Sequence, residues 1–295
     1  MRIEEYTVTG YRAESLSEGD CIYDIETTGH YWRTSALTAV SFAVPGASGE
    51  AVIRRAVSEK EADEYDLLVL AVRTLDKARR IITYNGTSFD IPHTKKKLEA
   101  YGLPDPFPGK AFLDLYPAYR PLGRICGFPS MKLQDLAEKT APDRSACCDA
   151  ERTLQILPLS AVSAFFDGAW EYLSAEEADG SVIFRLRPET PLPVRLSLGR
   201  DGCYLIASGS GASCSLRIFD GKLRLYHEDV ENYDYLPAEG YAVHRSMSVF
   251  VEASHKEKAV PENCFSLISY SSSLLLNEAS CRKLISSALR HIRDL

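Results

Sequence analysis

The 295-residue sequence contains no apolar run long enough to cross a bilayer. Its longest apolar stretches, such as Leu67 to Val72, fall far short of the roughly 20 residues that a transmembrane helix needs. From the opening residues, Met1 to Tyr6, we expect no signal peptide. Cysteine is sparse as well, because eight residues without any Cys-x-x-Cys spacing are too few for a disulfide scaffold in a chain of this length. We therefore expect reduced, mostly buried thiols and a cytoplasmic protein.

The sequence also lacks an excess of positive charge. Its 34 Lys and Arg residues are outnumbered by 41 Asp and Glu residues, which gives a net charge of −7. This balance argues against binding of DNA or RNA through the overall charge of the protein. Residues 1–160 are closer to neutral, with 20 basic and 23 acidic residues. Local basic clusters occur at Arg79 with Arg80, at Lys95 to Lys97, and at Arg120 with Arg124. For the three lysines, phosphate contact and a solvated helix face are both open interpretations.

One short stretch places two acids at the end of an apolar run. Cys21, Ile22 and Tyr23 are followed by Asp24-Ile25-Glu26-Thr27-Thr28-Gly29. Residues i and i+2 of a strand project from the same face, so Asp24 and Glu26 are expected to lie side by side. Two like charges raise each other's pKa unless a cation neutralises them, and a divalent metal with hard oxygen ligands is the usual cation. The pair indicates half of a metal site, and a solvated strand end before a turn is the alternative.

A third acid lies at a predicted strand-to-helix junction. The β-rich run Arg80 to Thr83 is followed by Tyr84-Asn85-Gly86-Thr87-Ser88-Phe89-Asp90-Ile91-Pro92. The pair Asn85-Gly86 favours a turn, and Pro92 suits the first turn of a helix. A charged helical stretch from about Thr94 to Tyr101 comes next. Asp90 is therefore able to face the Asp24 and Glu26 pair, and a plain helix N-cap is the alternative.

These two motifs resemble the first two exonuclease motifs of the DnaQ-like branch of the ribonuclease H-like superfamily. The text from Ile82 to Pro92, together with Phe112-Leu113-Asp114-Leu115-Tyr116 and Lys132-Leu133-Gln134-Asp135-Leu136, is similar to the YprB group of bacterial exonucleases. The resemblance implies an α/β fold with a ribonuclease H-like mixed sheet flanked by helices. It also implies a 3′-to-5′ exonuclease that hydrolyses phosphodiester bonds with two Mg²⁺ or Mn²⁺ ions held by four acids. The implied substrate is a single-stranded 3′ end of DNA or RNA, and a helicase-like partner follows from family association alone.

By the same resemblance, the metal-binding and catalytic acids are Asp24, Glu26, Asp90 and Asp149. The implied contacts to the terminal nucleotide are Thr27, Thr28, Asn85 and Phe89. Asp114 is expected to cap the next helix rather than to bind metal.

The fourth acid, Asp149, brings a departure from the family pattern. Family members carry this acid on a helix, four residues after a His or Tyr that serves as the general base or positions the attacking water. Ser145 stands at that position in this chain, and the segment from Lys139 to Ser145 looks shorter than in relatives. A general base raises the reaction rate on the order of a hundred- to ten-thousand-fold, and a serine hydroxyl is a poor base.

The missing base leaves alternatives open. We expect either a slow enzyme or a substitute base, for which Tyr84, His93 and His30 are the candidates. The rival interpretation is a catalytically degenerate nucleic-acid-binding or scaffold module that keeps the fold.

The order of elements predicts the rest of the sheet. Strands are expected at Tyr23 to Glu26, Leu37 to Val44 and Glu50 to Arg54. A helix is expected from about Ser58 to Lys77, with Ser58 and Glu61 as a capping box and a core face of Tyr65, Leu68, Val72 and Leu75. Two further helices are predicted at Met131 to Lys139 and at Ser145 to Leu157.

Beyond about residue 172 the sequence changes to short alternating runs separated by Gly, Asp and Pro. This pattern predicts antiparallel β-structure, closed by a helix from Glu278 to Asp294. We expect a nuclease domain over residues 1–172 and a β-rich domain of unknown function over residues 173–295. His227, His244, Arg245 and the clustered tyrosines could stack on a single strand, and ordinary packing inside the β-domain is the alternative.

Overall fold

The computed structural model describes residues 1–10, 13–142 and 145–294. It divides into two compact units, Met1–Gly123 with Gly127–Ser160, and Arg124–Cys126 with Ala161–Leu295. The expected boundary between residues 172 and 173 falls within a strand of the second unit, and a division into independently folding domains stays a prediction. Within the described ranges, no helix is both long and apolar enough to cross a membrane. The eight cysteines are free, and all but Cys147 are buried.

The first unit contains one mixed sheet. Its strands in chain order are β1 (Arg2–Val8), β2 (Asp20–Thr27), β3 (Leu37–Pro45), β4 (Ala51–Val57), β5 (Arg80–Thr83) and β6 (Ala111–Asp114). They lie in the spatial order β1-β4-β3-β2-β5-β6. Strands β1 to β4 pair antiparallel, whereas β5 pairs parallel with both β2 and β6. This is the predicted ribonuclease H-like mixed sheet, with β1 as an edge strand that the sequence motifs do not predict.

Helices flank this sheet. In chain order they are α1 (Glu64–Leu75), α2 (Asp90–Tyr101), α3 (Leu115–Tyr119), α5 (Leu133–Thr140) and α6 (Asp149–Ile156), while the short α4 (Leu122–Ile125) is divided between the two units. Side chains of α1 and α2, such as Leu68 and Leu98, share one buried cluster with Tyr23 and Phe42 of the sheet. Burial of this cluster fixes the helices against β2 and β3.

The predicted start of α1 is wrong. Ser58 continues the sheet, since its N–H donates to the Thr38 carbonyl at 2.8 Å, and α1 begins only at Glu64. The Asp63 carboxylate accepts the Glu59 N–H at 2.9 Å, so the Ser58 and Glu61 capping box does not form. Tyr65 is 45% exposed, because the buried face of α1 is rotated towards its other apolar residues: Leu67, Leu68, Ala71, Val72 and Leu75.

The predicted start of α6 is also wrong. The N-cap residue, Cys148, has an extended backbone, so residues 145–148 precede the helix. The Glu151 carboxylate accepts the Cys147 N–H at 2.9 Å, which fixes the first turn from inside the helix. The short segment expected between Lys139 and Ser145 includes residues 143 and 144, which lie outside the described residues.

The second unit is rich in β-structure, as predicted. Its elements in chain order are α7 (Ser160–Phe166, whose first residue belongs to the first unit), β7 (Trp170–Ala178), β8 (Ser181–Pro188), β9 (Leu192–Arg200), β10 (Cys203–Gly209), β11 (Gly211–Arg217), β12 (Lys222–Tyr226), β13 (Tyr233–Leu236), β14 (Tyr241–His244), α8 (Arg245–Ser248), β15 (Glu257–Lys258), β16 (Phe265–Ser269) and α9 (Glu278–Arg293). The largest sheet is antiparallel, in the order β7-β8-β11-β10-β9. Helix α9 packs on this sheet through its apolar face.

Candidate metal centre

Three carboxylates converge near the end of β2. Asp24 and Glu26 lie two residues apart on this strand, as the period-two pattern requires. Asp149 is the first residue of α6, which packs on β2 and β3. One ligand oxygen from each of the three acids lies within 4.8 Å of the others. Hard oxygen donors at this spacing fit a divalent cation such as Mg²⁺ or Mn²⁺.

Residues that the sequence motifs do not point to hold Asp149 in place. Ser41 of β3 stands opposite Asp24 in the strand register, and its hydroxyl accepts the Ala150 N–H at 3.3 Å. The hydroxyl of Tyr6, on β1, donates to the Glu151 carboxylate at 2.7 Å. The start of α6 is therefore tied to two strands of the sheet.

Asp90 has a different place from the other three acids. It is the first residue of α2, with Phe89 as the N-cap residue, so the plain N-cap interpretation is wrong. Its Oδ1 accepts the Ile25 N–H at 2.8 Å. Parallel pairing of β2 with β5 ends at Ile22, and the Asp90 carboxylate satisfies a strand N–H beyond that point. Asp90 thus lies beside the three-acid group without belonging to it.

Burial and like charges raise the pKa values of Asp24, Glu26 and Asp90. Burial raises the pKa of Asp24 well above its usual value, and the charges of Asp90, Asp149 and Glu26 add to the effect. Partial loss of water, followed by the charge of Asp149, raises the pKa of Glu26. Burial also raises the pKa of Asp90 to about 6. A bound cation would stabilise the charged form of each acid and so oppose these rises in pKa.

Two arginines compensate part of this charge. Arg152 lies one helical turn after Asp149 and forms an ion pair with it. Together with Arg55 of β4, Arg152 opposes the rise in the pKa of Glu26. A basic residue three positions after an acid on a predicted helix is the sequence signal for this pair. Arg152 bonds to Oδ1 of Asp149, and a metal ion at the three acids would share this carboxylate with Arg152 or compete with it.

The loop before Asp90 is held by Asp114. As expected, the Asp114 side chain caps α3, accepting the Tyr116 N–H at 3.1 Å. It also accepts the N–H groups of Asn85 at 2.6 Å and Thr87 at 3.1 Å, and the Thr87 hydroxyl. Asn85 has a φ of +63°, a left-handed conformation that asparagine tolerates better than most residues. A Cβ on Gly86 would meet the Thr83 Cβ at 2.6 Å, so only glycine fits there.

The residues expected to contact substrate have internal partners. The Thr27 hydroxyl donates to the Gly29 carbonyl at 2.8 Å, and the Thr28 hydroxyl accepts the Ala36 N–H at 2.9 Å. Phe89 is half-buried, and its ring lies 5.7 Å from the ring of His30. Their contact with a nucleotide stays a prediction.

The candidate bases differ in accessibility. Tyr84 donates its hydroxyl to the Met131 carbonyl, and burial raises its pKa to about 12. His93 is 4% exposed, and burial lowers its pKa. His30 and Ser145 are exposed. Tyr84 and His93 are therefore poorly suited to accept a proton from water near neutral pH.

The match to a protein-family model supports the fold. Residues 21–154 match the family model described as RNase_H superfamily, whereas no curated protein sequence matches the chain. The chain is similar, at 12% identity, to the zinc-bound complex of Escherichia coli exonuclease I with single-stranded DNA, with a TM-score of 0.37 over 94% of this chain and 70% of that chain. A product-bound structure of exonuclease I gives 12% identity and a TM-score of 0.35 over the same shares. The matched residues run from β2 to α6, and the first unit therefore contains an RNase H-like domain.

Proposed function

We propose that this chain is a metal-dependent 3′-to-5′ exonuclease that hydrolyses phosphodiester bonds in single-stranded DNA or RNA. The observation that supports the proposal is the convergence of Asp24, Glu26 and Asp149 within 4.8 Å at the end of β2. Their place in an RNase H-like domain and the resemblance to DnaQ-like exonucleases favour two Mg²⁺ or Mn²⁺ ions at this site.

The bound ions would supply a hydroxide at neutral pH and stabilise the leaving oxygen. Asp24 and Glu26 would hold them from β2, and Asp149 from the start of α6. Asp90 would serve as the fourth acid, and its bond to the Ile25 N–H keeps the backbone between Asp24 and Glu26 in position. Arg152 would give up its ion pair with Asp149 as metal binds.

The terminal nucleotide would lie against Thr27, Thr28, Asn85 and Phe89. Because these groups contact phosphate, sugar and the face of a base, they favour recognition of a strand end rather than a sequence. Ser145 is a poor base, so we propose slow hydrolysis, with exposed His30 as the better of the substitute bases.

The test uses the full chain, Mn²⁺ and single-stranded DNA and RNA labelled at either end. A 3′-to-5′ exonuclease shortens the 5′-labelled strand to a ladder and releases labelled mononucleotide from the 3′-labelled strand. Asp24→Asn and Glu26→Gln should each lower the rate by at least about a hundredfold. Asp66→Asn, which changes an exposed acid on α1, should leave the rate unchanged.

Two outcomes would contradict the proposal. Equal degradation by the parent and Asp24→Asn would reveal a contaminating nuclease. Cleavage inside a substrate whose 3′ end is blocked would show an endonuclease instead.

A nucleic-acid-binding module without turnover is the second candidate. The Arg152 ion pair with Asp149 favours it, because the guanidinium already occupies a ligand carboxylate. This candidate predicts that the parent protein binds the oligonucleotides but leaves them intact in Mn²⁺.

A further inference from the structure

A cavity of about 500 Å³ lies at the other end of β2 from the three acids. Asp20 and Cys21, the first residues of β2, contribute to its wall, whereas Asp24 and Glu26 do not. Most of the lining surface is apolar and comes from β3, β4, α1 and the segment after α1: Phe42, Val44, Pro45, Val52, Leu70 and Ala78. Its volume is within the usual range for small-molecule sites, about 300 to 1,000 Å³.

Two cations at the rim of this cavity have no acidic partner. Arg73, in the last turn of α1, and Lys77, just after the helix, are exposed and form no ion pair within the part of the chain that the structure describes. The other charged residues of the rim have partners: Arg54 with Glu5, Glu18 with Arg79, and Asp20 with Arg80. The rim therefore carries unbalanced positive charge above an apolar interior.

We propose that this cavity binds a small amphipathic anion. Its apolar body fills the space beside Phe42 and Leu70, and its carboxylate or phosphate lies against Arg73 and Lys77. The site uses none of the proposed catalytic acids, so it stands or falls independently of the nuclease proposal.

The experiment titrates the full chain with 8-anilinonaphthalene-1-sulfonate, an aromatic anion whose fluorescence rises in apolar sites. We expect saturable binding at one site. The double variant Arg73→Ala/Lys77→Ala should bind about tenfold more weakly, as expected for loss of charge-assisted hydrogen bonds. Val52→Phe, which fills the cavity, should also weaken binding by about tenfold or more.

A matched control removes two exposed cations outside the cavity, Arg33→Ala/Lys96→Ala, and should bind like the parent. Thermal melting in the absence of probe checks that each variant is folded. A folded Arg73→Ala/Lys77→Ala variant with parent affinity overturns the proposal, as does binding at many sites without saturation.

Competition distinguishes the sources of the anion. Displacement of the probe by dodecanoate identifies an aliphatic acid as the ligand class, whereas displacement by deoxyadenosine monophosphate identifies a nucleotide. If neither compound displaces the probe at millimolar concentration, the proposal is wrong.

Discussion

At the scale of single residues, the surroundings of an acid matter more than its identity. Burial raises the pKa of Asp24, and the charges of its neighbours Asp90, Asp149 and Glu26 add to the effect. Asp66 is an exposed acid in the first turn of α1, where its negative charge interacts favourably with the helix dipole. The metal site is therefore inferred from the cluster of acids, and substitutions of single residues test that inference.

Arg152 sets the balance between an ion pair and a metal ion at Asp149. Because Arg152→Gln removes the competing cation, we expect Mn²⁺ to bind about fivefold more tightly, as for loss of a pair worth about 1 kcal/mol. Isothermal titration with Mn²⁺ measures the change, and Arg33→Gln is the control. Weaker binding by Arg152→Gln would show instead that the arginine orients Asp149 for the metal.

Ser145 tests whether a missing base limits hydrolysis. Ser145→His places an imidazole at the exposed position four residues before Asp149, and we expect the rate to rise by about tenfold or more at neutral pH. The measurement is the rate of mononucleotide release at saturating Mn²⁺. An unchanged rate would mean that another group or bulk water already accepts the proton, or that the turn before α6 directs residue 145 away from the site.

At the scale of elements, the acids are placed by the ends of strands and helices. Strands β2 and β5 pair only as far as Ile22 and Ile82, and the space beyond admits Asp90. The loop that leads to Asp90 is fastened to β6 through Asp114. Geometry at the site therefore depends on residues that do not belong to it.

Asp114→Asn tests this fastening. Both carboxylate oxygens accept hydrogen bonds, whereas an amide presents an NH₂ group to at least one of these donors. We expect a loss of about 1–3 kcal/mol in the free energy of unfolding. We also expect a larger loss in oligonucleotide affinity than in Mn²⁺ affinity, because the loop carries Asn85 and Phe89. Asp66→Asn is the control, and equal losses in both affinities would assign Asp114 to stability alone.

Helix α9 gives the second unit a dependence on pH. The ring of His291 stacks on the ring of Tyr226 with 3.5 Å between their centroids, and its Nε2 lies 3.0 Å from Oδ2 of Asp201. Burial lowers the pKa of His291 below the usual 6.5, although Asp201 acts to raise it. The unfolded state therefore binds the proton more readily, so stability is present above pH 6.5 and is lost as the pH falls below it.

Urea unfolding at pH 7.5 and pH 5.5 measures this loss. His291→Phe keeps the stacked ring and should reduce the difference in unfolding free energy between the two conditions. An equal difference in both proteins would assign the pH dependence to other groups.

At the scale of the whole molecule, the proposed function belongs to one unit. Asp24, Glu26, Asp90 and Asp149 all lie within Met1–Gly123 and Gly127–Ser160. The second unit contributes none of the acids, and its His227 stacks on Tyr233 at 4.3 Å. This pair supports ordinary packing inside the β-domain, because each ring already covers one face of the other.

Metal binding should therefore stabilise the units unequally. At a hundred times the dissociation constant, Mn²⁺ should add about 2.7 kcal/mol to the unfolding free energy of the first unit. Hydrogen exchange resolved by peptide should slow in β2 and α6 when Mn²⁺ is added, and should change less in β10 and α9. Asp24→Asn should lose this protection, and uniform protection of both units would contradict a site confined to the first.

Local patterns explain which parts of the site the sequence predicts. Asp24 and Glu26 share a face because a strand repeats every two residues, and the backbone preferences of Asn85 and Gly86 alone predict the turn before Asp90. Local patterns did not predict where α1 and α6 begin. Ser58 remains in the sheet through its bond to Thr38, and Glu151 fixes the start of α6 through Cys147.

The sequence by itself determined strands β2 to β4, the acidic pair on β2 and the β-rich character of the second unit, since each follows from local periodicity and turn chemistry. Only the tertiary structure decided how Asp149, which the resemblance implied as a ligand, comes to lie beside the pair, that Asp90 binds the Ile25 N–H and that Arg152 pairs with Asp149. These relations depend on distances between elements far apart in the chain, and such distances are set by how helices pack on the sheet and not by any local pattern.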